Sequence, residues 1–370
     1  MRILHIDTEM MWRAGENQLW LFLDYLKDNE EITNYLVAKK GSAILERSEN
    51  IINTFDVDLN WEISPTSIVH IANICKTYNI NIIIAYTPKA HGLAIMVKKI
   101  YPKVKLIVHD RSSESIGRGI FSKLKYRSSM VDKFIVTSSL VSDKLIRLGI
   151  DSKDIVIVKN ACSGSEFIFR SKQDTKYVLS KKFELPYDVP LIGTVSHFSN
   201  HNRSDILFKS LEKLAQENIS FFCLVAGDGP RRRELENLCR EYGIHHFVKF
   251  IGFMEDISQL LHAIDILAVV SSKKELGTVT LDAIWSDCCV VGACNNTQSD
   301  YLINGKTGFV SDLDDQEAFT NNLRKVVVNK ELRTSLCEAA KTVTLKEHSL
   351  TTNVLSILGV CRDVLKNGRN

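Results

Sequence analysis

The sequence predicts an α/β protein built from two doubly wound, Rossmann-like domains, each with a parallel sheet, facing a cleft. Short Ile- and Val-rich runs alternate with longer amphipathic stretches from the first residue onward, the pattern of parallel strands covered on both faces by helices. The alternation stops at Asn160, passes through "ACSGSEF", a mixed-charge segment and "ELPYD", and then restarts. At 370 residues the chain exceeds one ordinary core and has material for two.

In order, the first half places strands at "RILHI", "NYLVA", "NTFDV", "NIIIAY", "KLIVH", "KFIVTS" and "IVIVKN", with helices near 16–27, 66–78, 89–100 and 139–148. The second half places strands at "VPLIGTVS", "SFFCLVAGDG", "HFVKFIGF", "IDILAVVSS" and "CCVVGAC", with helices near 204–217, 231–242, 256–263, 279–286 and 314–328. The expected divisions are a domain over 1–170, a linker over 171–190, a second domain over 191–348, and a C-terminal helix over 349–370 packing back toward the first domain.

Ligands of doubly wound sheets bind outside the carboxyl ends of the strands, where helix N-termini present free N–H groups. The loop after the first strand, "DTEMMWRAGE", holds one glycine, and "GDGPRRREL" has only the first two of GxGxxG. A dinucleotide oxidoreductase is therefore disfavoured. A net charge of +3, with no basic stripe and no zinc-finger spacing, speaks against nucleic acid. Charge is uneven, however. Between Tyr86 and Arg127 ten Lys or Arg face two acids, Asp110 and Glu114, with Ile116, Ile120, Phe121 and Leu124 interspersed. That mixture fits either a solvated face or peripheral contact with an anionic membrane.

Nine scattered cysteines form no disulfide framework and point to a reducing compartment. Cys288, Cys289 and Cys294 lack paired CxxC spacing, so no metal site is expected. The start "MRILHID" is a strand rather than a signal peptide, and no apolar run is long enough to span a bilayer. The expected location is cytoplasmic, at most peripheral at the inner face of the plasma membrane.

Residues 271–285, "SSKKELGTVTLDAIW", set Glu275 and Asp282 on either side of a glycine that leads into a helix. Backbone N–H groups of Gly277, Thr278 and Val279 would crown that helix and cradle a phosphate, and carboxylates are good acceptors for sugar hydroxyls. The combination suits a sugar joined to a phosphate. The plainer alternative is a solvated Glu275 and an Asp282 that supports the helix start.

The chain resembles the retaining glycosyltransferases of the GT-B architecture, the family 4-like or group 1 glycosyltransferases. The resemblance runs through "MRILHID…AGENQL", "VDKFIVTSSLVSDKLIRLGI…IVIVKN", "LVAGDGPRRREL", "VKFIGFMEDISQLLHAIDILAVVSS", "LDAIW…CVVGA" and "NGKTGFV", in family order across nearly the whole chain. It implies catalytic roles for His109, near the reacting sugar, and Glu275. Gly15 would approach the donor phosphate from the first domain, and Arg111 would face the acceptor. Donor binding would involve His197, Arg203, Gly227, Gly252, Phe253, Gly277, Thr278, Val279 and Asp282. Gly227-Asp228-Gly229-Pro230 matches a structural turn and Gly252-Phe253 the place where backbone reads the base, while Arg231, Arg232 and Arg233, outside that set, read as a solvated face.

The chain departs from the family pattern at the diphosphate cradle. Glu275 to Asp282 is one residue shorter than EX7E and ends in Asp, His197 stands where an arginine is common, and Asn202 aligns with the usual lysine, leaving Arg203 one residue along. Ala14 replaces a glycine, and Asn160-Ala161 replaces Asn-Gly. The resemblance implies transfer of a sugar from a nucleotide sugar, UDP-linked, to a cell-envelope glycan or glycolipid acceptor with retained configuration, without cofactor or metal. Two other readings stand beside it: a catalytically silent relative that binds a nucleotide sugar or glycan, and an epimerase or phosphorylase of related architecture.

Overall fold

The computed structural model describes residues 1–58, 64–111, 119–162, 171–254, 257–272, 276–297 and 299–366. The chain divides into two compact units, one of Met1–Ala161 with Leu350–Asn370 and one of Cys162–Ser349.

The first unit holds strands β1 (Arg2–Ile6), β2 (Thr33–Lys39), β3 (Asn53–Val57), β4 (Ile82–Ala85), β5 (Lys105–Asp110), β6 (Lys133–Val136) and β7 (Ile155–Ile157). They form one sheet in the order β3-β2-β1-β4-β5-β6-β7, every pair parallel. Two-residue periodicity sends alternate side chains to opposite faces. Leu4, Ile6, Ile83 and Ala85 enter one core cluster, while Ile3, Ile82 and Ile84 enter the other. This is why the strands read as continuous apolar runs. Winding reverses between β1 and β4, so the loops leaving those two strands diverge and open a crevice at their carboxyl ends.

The second unit repeats the plan with β8 (Leu191–Val195), β9 (Phe222–Ala226), β10 (Val248–Gly252), β11 (Ile266–Ser271), β12 (Cys289–Cys294) and β13 (Phe309–Asp312). Its all-parallel order is β10-β9-β8-β11-β12-β13, with the reversal between β8 and β11. All nine cysteines are free and buried. No helix among the described residues is long and apolar enough to cross a membrane.

Three features differ from the sequence reading: the linker, several unexpected elements and the unit boundaries. The segment assigned to a linker carries the helix Lys172–Phe183, which belongs to the second unit and is tied to it by Lys176 Nζ on Asp265 Oδ2 at 2.8 Å. The short strand β13 and the helices Ala43–Ser48, Ile120–Tyr126 and Lys330–Glu347 were not expected. The last helix, Leu350–Lys366, puts Val354, Ile357, Leu358 and Cys361 into the core cluster that contains Leu19 and Phe22, and Asn353 Nδ2 donates to the Lys159 carbonyl at 2.6 Å. The unit boundaries accordingly fall after Ala161 and after Ser349.

Candidate active site

In the first unit the reversal of winding delivers polar side chains from three strand ends. Asp7 and Thr8 follow β1, Tyr86 and Thr87 follow β4, and His109 lies near the end of β5. Thr8 and Thr87 hydroxyls stand 2.6 Å apart, and Thr87 Oγ1 also accepts from Ala90 N at 3.1 Å, capping the helix Pro88–Ile100. His5 is clamped within the sheet, Nδ1 2.9 Å from the Tyr86 hydroxyl and Nε2 3.0 Å from Asn34 Oδ1.

Arg111 closes this arrangement. Its guanidinium carbon lies 4.3 Å from the centroid of the Tyr86 ring, a cation–π contact, and a Cβ on Gly15 would stand 2.6 Å from Arg111 Nη1. Gly15 therefore leaves room for the guanidinium. The His109 ring is 5.3 Å from that of Tyr86, so His109 and Arg111 meet at one tyrosine, with Gly15 beside the guanidinium. Both nitrogens of His109 are buried without a hydrogen-bond partner among the described residues, so the ring faces protein rather than solvent.

Burial dominates the electrostatics. It pushes the Glu16 carboxyl up to about 7, with the Asp7 charge adding and Arg111 opposing. Asp7 is raised for the same first reason, again against Arg111. Asp7 Oδ1 accepts from Glu9 N at 2.9 Å while its Oδ2 is buried without a partner, and Glu16 Oε2 accepts from Arg13 N at 3.0 Å. Desolvation lowers His5 to about 4 and His109 well below the ordinary imidazole value, Arg111 contributing in both. At neutral pH the imidazoles are neutral. Arg111 is the cation of the cluster, and its Nε and Nη2 are buried without partners among the described residues. A desolvated guanidinium with open donors favours an anionic or hydroxyl-rich ligand.

In the second unit the loop from Ser196 to Arg203 leaves β8 and is tied to the end of β11. Arg203 N donates to Val270 O at 3.2 Å, Ser272 N donates to His201 O at 2.9 Å, and Asn202 and Ser271 form an antiparallel bridge. His197 is exposed on this loop. Gly227 N donates to Gly252 O at 2.8 Å, so these two sequence-predicted glycines meet, both at positive φ, and Phe253 beside them is 61 % exposed. Gly277, also at positive φ, and Thr278 lead into the short helix Val279–Trp285, within which Asp282 is buried. Glu275 lies outside the described residues.

Arg203 was expected to face a diphosphate, yet its fork is engaged. Nε lies 3.0 Å from both Asp205 carboxylate oxygens, and Nη2 lies 2.8 Å from Oδ2. Asp205 occupies the first turn of the helix Ser204–Gln216, where the dipole favours a carboxylate, two residues from the arginine it holds. Asn202, aligned with the family lysine, accepts from Ser204 N at 3.1 Å. Arg231 and Arg232 are likewise paired, with Glu234 and Glu236. Sequence reasoning missed Asp7, Glu16, His5 and Tyr86. Asp7 was visible as the polar residue ending "RILHID", and Glu16 as an acid three residues after the start of a helical run, a spacing that caps. Among the described residues no group of three or more His, Cys, Asp or Glu is placed to hold a metal ion.

A family model described as glycosyl transferases group 1 matches residues 176–343, a stretch lying within the second unit. The second unit is thus similar to the group 1 glycosyl transferases. Curated relatives of the chain include the lipopolysaccharide core biosynthesis glycosyltransferase LpsE of Rhizobium meliloti, 26 % identical over 42 % of the chain and 45 % of the relative. Another is the Campylobacter jejuni alpha-1,4-N-acetyl-D-galactosaminyltransferase named for a GalNAc-containing diNAcBac-PP-undecaprenol, 27 % identical over 68 % of the chain and 66 % of the relative. The matches span less than two thirds of each of these relatives. Among solved structures, a glycosyltransferase from Rickettsia africae covers 99 % of both chains at a TM-score of 0.85 and 20 % identity. Anabaena HepE in complex with UDP-glucose covers 98 % of this chain and 100 % of its own at 0.83 and 17 % identity. The chain thus has the GT-B architecture, two doubly wound units in one chain.

Proposed function

We propose that the chain transfers a sugar from a UDP-linked donor to a hydroxyl of a cell-envelope glycan or glycolipid, with retained anomeric configuration and without a protein-bound metal. The observation that carries this reading is the coincidence of the family match, residues 176–343, with the unit whose strand-end loops bring Gly227 to Gly252 and present Gly277 at positive φ. Backbone bared by glycine accepts close approach of a nucleotide. The UDP-glucose bound to HepE and the undecaprenol-linked name of the Campylobacter relative support the donor and acceptor classes.

In the first unit Arg111 offers open donors to the acceptor, and neutral His109 orders the ground beneath it as a hydrogen-bonding dipole rather than as a cation. Ile100 and Leu124, 55 % and 63 % exposed, lie among the exposed Lys99 and Lys123 and fit a peripheral contact with an anionic bilayer that holds a lipid-linked acceptor. Ile116 lies outside the described residues, as do the side chains of Ile120 and Phe121.

A panel of nucleotides and nucleotide sugars, read by thermal shift and by product formation with EDTA present, tests the reading. UDP and a UDP-sugar raise the melting temperature, and the sugar moves to a lipid or glycan acceptor with the chelator present. No shift with any nucleotide overturns it. The engaged Arg203 and Asn202 favour a second reading, a silent donor-binding relative, which predicts the shift without transfer or donor hydrolysis.

A further inference from the structure

Behind His109 lies a cavity of about 10 Å³, bounded by Ala85, Thr87, His91, Val108, His109, Asp110 and Tyr126. His91, in the first turn of the helix Pro88–Ile100, is fully buried and packs edge-on against Tyr126 at 5.0 Å. Both of its ring nitrogens lack a hydrogen-bond partner among the described residues, as do both of His109. A neutral imidazole still carries one N–H donor and one lone pair, and burying these unmet costs roughly 1–3 kcal/mol each. Four unmet ring nitrogens on two histidines at one cavity are out of keeping with the general satisfaction of buried polar groups. The volume is at the lower limit for one water, which needs two to four polar partners. At the same cavity the hydroxyl of Tyr126 donates to Asp110 Oδ2.

We propose that this cavity binds a single structural water held by His91 and His109, and that His91 through this water is the positioning residue that fixes which nitrogen of His109 carries the proton. A water donating to one ring and accepting from the other ties the two tautomers together, as the partner on one imidazole nitrogen sets the state of the other. Burial supports this by keeping both rings neutral, lowering His91 to about 3 and His109 well below the usual value. The role given to His91 in turnover rests on the transferase reading above. The water site does not.

The test is a high-resolution crystal structure together with ¹⁵N spectra of the histidine rings in the full chain without substrate. One ordered water within hydrogen-bonding distance of both rings is expected, and each ring should show a single neutral tautomer from about pH 6 to about pH 8. His91→Phe, which keeps the edge contact with Tyr126, should expel the water and shift or split the His109 signals. It should also lower kcat about tenfold at unchanged donor KM. His91→Gln, which retains a donor and an acceptor, should restore one His109 tautomer and most of kcat. A dry cavity, or His109 signals unmoved in His91→Phe, overturns the proposal. Absence of transfer by the wild type overturns the reaction reading alone, because diffraction and spectra report the water without turnover.

Discussion

A Cβ placed on Gly227 would stand 1.8 Å from the carbonyl oxygen of Ser196. The obstacle is backbone, which cannot rotate away, and φ at Gly227 is +130°, a region that side chains rarely adopt. Gly252, its hydrogen-bonded partner, has φ +79° and nothing nearer to a Cβ than Arg232 Nη1 at 3.9 Å. Gly227→Ala is therefore expected to cost about 3 kcal/mol or more, and Gly252→Ala about 1–2 kcal/mol, the ordinary price of the left-handed conformation. Urea unfolding of both variants compares the two costs. Equal midpoints would show that the Ser196 loop yields, so that the contact does not fix the strand-end geometry.

Most of the fold was legible because its strands are buried on both faces, which leaves little ambiguity in runs such as "NIIIAY" and "IDILAVVSS". β13 escaped because Phe309–Asp312 ends in polar residues at a sheet edge, and Lys172–Phe183 because its lysines mask the period of Thr175 and Leu179. At the site, the family resemblance pointed to Gly15, His109 and Arg111 but could not show that His109 and Arg111 share Tyr86 with Gly15 beside the guanidinium, a tertiary relation between separate strand ends. The engagement of Arg203 by Asp205 was equally hidden. Proximity in sequence placed both residues at a helix start without saying which way the guanidinium turns.

Glu16 gives the first unit a measurable pH signature. Its folded value is raised to about 7 from an ordinary 4.5, so the folded state keeps a proton that the unfolded state loses. Its contribution is fully favourable below about pH 4.5, falls as pH rises through this window, and levels off above about pH 7. Glu16→Gln keeps the cap on Arg13 N but cannot ionise, so the variant should match wild type near pH 5 and exceed it near pH 8 by on the order of 2–3 kcal/mol. The opposing loss below about pH 6.5 from buried His5 and His91, whose values are lowered, is common to both proteins and cancels in the difference. Denaturant midpoints across this range decide it, and a pH-independent difference would rule out a buried protonated Glu16.

The exposed Ile100 and Leu124 lead to a membrane test. Sedimentation with anionic vesicles at low salt should recover the chain, and neutral vesicles or high salt should not. Lys99→Glu with Lys123→Glu removes two attractions of about 1 kcal/mol each and adds repulsion, so partitioning should drop by more than about tenfold. Equal recovery on neutral and anionic vesicles would mark the surface as merely solvated.

Arg203 and Asp205 provide the sharpest test of the donor site. The guanidinium has five N–H donors, and the carboxylate engages Nε and Nη2, which leaves Nη1 and the second Nη2 hydrogen for a phosphate. If the pair orients this remaining edge toward the donor, Arg203→Ala should weaken UDP by about tenfold or more and leave uridine unchanged, because only the phosphates lose a charge-assisted partner. Asp205→Asn should also weaken UDP, by less, since the arginine keeps its charge but loses its orientation. If Asp205 instead sequesters the arginine, removing the carboxylate's charge should tighten UDP. Calorimetric titration of the three proteins with UDP and with uridine separates the cases: graded weakening for UDP alone places the diphosphate on Arg203, and tighter binding to Asp205→Asn assigns the pair to holding the helix start at Ser204.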